Sequence, residues 1–103
     1  MEKRGHRYKL TLEYLENIKG EATSAKPLEL TFENHDNIFS IIEKLQAKDP
    51  FDNKNQAVEF ALGLKLFSEV MIKNRKHPLF EELAPAFQEF MKKLKALPEK
   101  GSL

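Results

Sequence analysis

The chain has 103 residues, no cysteine and a formal net charge of +1. That length predicts one domain, residues 1–103, with a core large enough to fold without staples. The missing cysteines exclude disulfides, thiolate metal sites and cysteine nucleophiles, and the near-zero charge does not imply bulk attraction to nucleic acid.

His6 to Leu15 alternates: Tyr8, Leu10, Leu12 and Tyr14 share one face, and Arg7, Lys9, Thr11 and Glu13 the other. Leu28, Leu30 and Phe32 against Glu29, Thr31 and Glu33 repeat the pattern, so the two runs predict an antiparallel hairpin over 6–33. Matching the apolar rows sets Tyr14 opposite Leu28 and His6 opposite Asp36; a slip of two puts Tyr8 beside Asp36. The polar stretch 16–27, with Gly20 and Pro27, reads as a mobile connector.

Asn34 or Asp36 then caps a first helix, about 36–48, carrying Ile38, Phe39, Ile41, Ile42 and Leu45 at helical spacing. Asp49-Pro50 stops it, and Phe51 pins the connector to the core. Asp52 or Asn53 opens a second helix over 53–74 that is apolar on nearly every face and so predicted to be surrounded. Gly63 in its middle costs about 1 kcal/mol against alanine, which marks it for close approach by another backbone. Pro78 starts a third helix, 78–97, with a restart at Ala84-Pro85 and a stripe of Phe87, Phe90, Met91, Leu94 and Leu97. The fold class is α+β: a two-stranded antiparallel hairpin followed by three helices packed on it, in one compact domain.

The blocks RGHRYKLTLE, FENHDNIF and LGLKLFSEVMIKNRKHPLF resemble a family of small single-domain bacterial proteins catalogued only as a domain of unknown function. The resemblance implies a bacterial, stand-alone α+β protein and brings no activity, cofactor or site.

Two clusters could carry function. Lys73, Arg75, Lys76 and His77 form a basic turn after the second helix, and Arg4, Arg7 and Lys9 form a second basic group near the N-terminus. Cations at a helix end suit its unpaired carbonyls; the functional alternative is an anion-binding corner. No aromatic residue is interleaved with them, so base stacking lacks a platform and nucleic acid is weakly supported. The other cluster is His6, His35 and Asp36 at the open end of the hairpin, where imidazole beside carboxylate suits a general base or part of a metal site. Helix capping also explains those residue types, and no HxH or HExxH completes a ligand shell. The four glycines form no phosphate loop and no serine sits in a nucleophile elbow. No cofactor or metal is implied.

The leading expectation is a non-enzymatic binding module in the cytoplasm that recognises a protein or another anionic partner through residues 73–77. The alternative is a small enzyme at His6, His35 and Asp36. No signal peptide or membrane span is visible, and Phe80, Phe87 and Phe90 are candidates for a homodimer contact.

Overall fold

The structure is a computed structural model that describes residues 5–100. The element order is β1 His6–Leu12, β2 Leu28–Asn34, α1 Ile38–Lys48, α2 Lys54–Lys73, α3 Pro78–Glu81 and α4 Leu83–Ala96. This is the expected α+β order of hairpin then helices. Two compact units divide the chain, Met1–Asp36 and Asn37–Leu103.

In the first unit β1 and β2 pair antiparallel, with His6 opposite Asn34, Tyr8 opposite Phe32, Leu10 opposite Leu30 and Leu12 opposite Leu28. The apolar rows share a face as alternation requires, but neither expected register occurs. The reason lies in the connector, which is not structureless. Asn17 accepts the Lys19 and Glu21 amides on its side-chain oxygen, and Gly20 turns with φ 81°, a left-handed conformation open to glycine. A bridge between Glu16 and Ala22 follows. This separate turn uses up residues between the strands, so β2 meets β1 two positions short of the first register expected, with Leu28 opposite Leu12 rather than Tyr14.

The hairpin ends in a second local structure. Asn34, 1% exposed, accepts the Asp36 amide on Oδ1 at 2.9 Å, while the Tyr8 hydroxyl donates to the Asp36 carbonyl at 2.9 Å. Neither Asn34 nor Asp36 caps α1, contrary to expectation. Asn37 does so, accepting from the Phe39 and Ser40 amides at 3.1 and 3.2 Å, because its extended backbone puts Oδ1 over the open first turn.

The second unit is held by α1 against α2. Leu45, Ala57 and Ala61 form its buried cluster, with Ile41, Ile42, Phe60 and Leu94 packed around it. Asn53 caps α2, accepting from the Asn55 and Gln56 amides. Phe51 stands edge-on to Phe60 at 5.3 Å between ring centres, so it does tie the connector to the helices, although it stays partly exposed. Lys48 reaches from the last turn of α1 to donate to the carbonyls of Leu94 and Lys95 at 3.2 and 3.0 Å. The Lys100 amide donates to the Ala47 carbonyl, and its ammonium pairs with Asp52.

Two expectations about α2 fail. The helix is not surrounded: Phe67, Val70 and Ile72 remain substantially exposed. Nor does Gly63 mark a close approach, since a Cβ there would meet nothing within 4 Å. The close approach is made instead by Ala57 and Ala61, both 0% exposed and four residues apart on one face. Gly63→Ala is therefore expected to stabilise the protein by about 1 kcal/mol, raising Tm by roughly 4–8 °C. Thermal unfolding by circular dichroism checks this, and a lowered Tm would show that the position needs glycine.

The third expected helix is two. Pro78 sits in the first turn of α3, and Glu82, at φ −74° and ψ −31°, keeps helical angles between α3 and α4. Pro85 falls in the first turn of α4, where a missing amide costs no hydrogen bond. Among the described residues no helix is long and apolar enough to cross a membrane.

Candidate functional site

The end of α2 is closed by Asn74. Its side-chain amide donates to the Val70 carbonyl at 2.8 Å, and its backbone amide to the Met71 carbonyl at 3.1 Å. The chain then turns through Arg75 and Lys76 to His77, whose amide donates to the Asn74 carbonyl at 3.0 Å. His77 is extended because a proline follows it, and this lets its ring turn back to cap α3: Nδ1 accepts the Leu79 amide at 3.1 Å. An accepting Nδ1 carries no proton, so only Nε2 can serve as donor to an anion. Lys73, Arg75, Lys76 and His77 are all exposed, and residues 72–77 line a shallow hollow of about 460 Å³. The four residues grouped on sequence are thus together on one turn.

The second basic group is differently placed. Arg4 lies outside the described residues. Arg7 stands opposite Glu33 in the ladder, and Lys9 pairs with Glu29 at 3.2 Å, so the polar face of the hairpin carries both signs. Both cations belong to the first unit and the basic turn to the second.

At the hairpin's end, His35 Nε2 lies 3.5 Å from Asp36 Oδ2, with the histidine more than half exposed. His6 pairs with Asn34 rather than Asp36, and its ring centre is 6.3 Å from that of Tyr8. The Asp36 backbone is occupied on both sides, by Asn34 and Tyr8. Among the described residues no group of three or more His, Asp or Glu is arranged to hold a metal ion.

One feature escaped the sequence reading. The end of α2, α3 and α4 line a cleft of about 570 Å³, in which Met71, Phe80, Phe87 and Met91 are buried or half-buried and form the floor, while Arg75, Lys92 and Lys95 are exposed and form the rim. Phe67 packs against both Phe80 and Phe87, with ring centres 6.1 Å apart in each pair. The signal was present in α4: Ala84, Gln88, Met91 and Lys95 recur at intervals of four, three and four, a single helical stripe.

No protein of curated function matches the chain. A solved structure of a protein of unknown function from Pectobacterium atrosepticum is similar to it, with 38% identity and a TM-score of 0.76 over 88% of this chain and 97% of that one. A family model described as a domain of unknown function with a solved structure, DUF3861, matches residues 6–96, and so spans every strand and helix described above. The chain belongs to that family.

Proposed function

We propose that the protein is a non-enzymatic binding module of the bacterial cytoplasm that recognises a protein or other anionic partner through Lys73, Arg75, Lys76 and His77. The supporting observation is how the end of α2 is satisfied. Cations at such a position are ordinarily explained by the helix's unpaired carbonyls. Here Asn74 supplies the closing hydrogen bonds, and among the described residues none comes from Lys73, Arg75 or Lys76. Three cations around a shallow hollow suit a carboxylate or phosphate surface, with Arg75 able to offer a bidentate fork. Such attraction is salt-sensitive.

The test is capture from bacterial lysate, with and without nuclease, using wild type beside the triple variant Lys73→Glu, Arg75→Glu, Lys76→Glu. The expected result is a nuclease-resistant protein that the variant no longer retains, with stability changed by less than about 1 kcal/mol. An unchanged capture profile overturns the reading. A loss of about 2 kcal/mol or more would return the cations to a helix-end role.

A homodimer is the second reading. It is favoured by the apolar row of the hairpin, where Leu12, Leu28 and Leu30 are 64%, 61% and 45% exposed; a monomeric mass at working concentration would remove it.

A further inference from the structure

The cleft between the end of α2, α3 and α4 combines two chemistries that the basic turn alone does not. Its floor is apolar, with Met71 and Met91 beside Phe80 and Phe87; methionine is the side chain best able to conform to a flexible chain. Its polar lining consists of Arg75, Lys92, Lys95 and Gln88, with no carboxylate. Lys92 does bond Glu89 at 3.3 Å, but that pair is exposed and gives way at little cost. A charge cannot be laid on the floor without losing its hydration, so an occupant must keep its anionic end at the rim and its apolar body below.

The size of the space argues for a small molecule over a protein helix. At about 570 Å³ it falls in the range of ligand sites. A chain of about a dozen carbons, at roughly the 30 Å³ per methylene that a water molecule also takes, fills some two-thirds of it.

We propose that this cleft binds an unbranched aliphatic carboxylate of about a dozen carbons, its chain over Met71, Phe80, Phe87 and Met91 and its carboxylate at the basic rim. The site shares Arg75 with the basic turn and does not include Lys73 or Lys76.

The test is a titration of the full chain with dodecanoate, decanoate and dodecyltrimethylammonium at about 0.15 M salt, following the methyl signals of Met71 and Met91 by NMR. Dodecanoate is expected to shift both signals saturably, and each methylene removed to weaken binding about fourfold. The trimethylammonium, with the same chain and the opposite charge, is expected to bind at least about tenfold more weakly. Arg75→Glu, or Lys92→Glu with Lys95→Glu, should cost about tenfold, and these exposed positions leave the fold intact. Ala84→Leu, which fills the cleft from its lining, should also weaken binding. Lys73→Glu with Lys76→Glu should leave dodecanoate binding unchanged, which separates this site from the basic turn. The proposal is overturned by no saturation up to about 1 mM, by equal binding of the cationic amphiphile, or by indifference to both charge reversals.

Discussion

Leu45→Ala is expected to destabilise the protein by about 2–5 kcal/mol. Leu45 is 4% exposed and is the largest member of the cluster it forms with Ala57 and Ala61. Two of the three are alanines, so one leucine supplies most of the apolar volume at the centre of the α1–α2 contact. Removing it takes away transfer free energy and leaves a void that the helix backbones, held at alanine spacing, cannot close. Chemical denaturation should show a lower midpoint with an unchanged slope. A loss below about 1 kcal/mol would mean that the helices close over the gap, or that the α1–α2 contact is not the centre of stability.

The converse substitution, Ala61→Leu, is expected to cost about 1–3 kcal/mol. Ala61 is wholly buried, and three added carbons must either push α1 away or force neighbouring side chains out of their rotamers. The two changes are related as a size swap across one cluster. In the double variant Leu45→Ala, Ala61→Leu, the new leucine occupies space that the old one vacated. We expect the pair to lose at least about 1 kcal/mol less than the two single losses added together. Additivity within about 0.5 kcal/mol would show that positions 45 and 61 do not share a space.

What could be read from the sequence divides along physical lines. Strand alternation and helical spacing are local patterns, and they located both strands and the three long helices; Pro78 marked the start of the short α3, while the separate start of α4 at Leu83 was merged with it. The register depended on how Asn17 and Gly20 fold the connector on itself, a tertiary closure that alternation does not encode. The α1 cap went to Asn37 because Asn34 and Asp36 were already committed to the turn that ends the hairpin; residue type made all three eligible, and only geometry chose. Gly63 misled because a missing side chain signals either close approach or mere tolerance. Ala57 and Ala61, spaced four apart, were the better sign of a helix contact. The basic turn was legible because its residues are consecutive. The cleft was not, since Met71 and Arg75 face Phe87, Met91 and Lys95 only after α3 has reversed the chain.

The ammonium of Lys48 has a consequence for the last helix. A C-terminal helix ordinarily frays from its free end, each released carbonyl turning to water. In α4 the carbonyls of Leu94 and Lys95 are held by a cation from α1, and the chain beyond is held through the Lys100 amide to Ala47. Opening the last turn therefore breaks bonds to the first helix as well as its own. Residues 94–100 are thus tied to α1, and their amides are expected to exchange with solvent through an opening of both segments rather than by peeling.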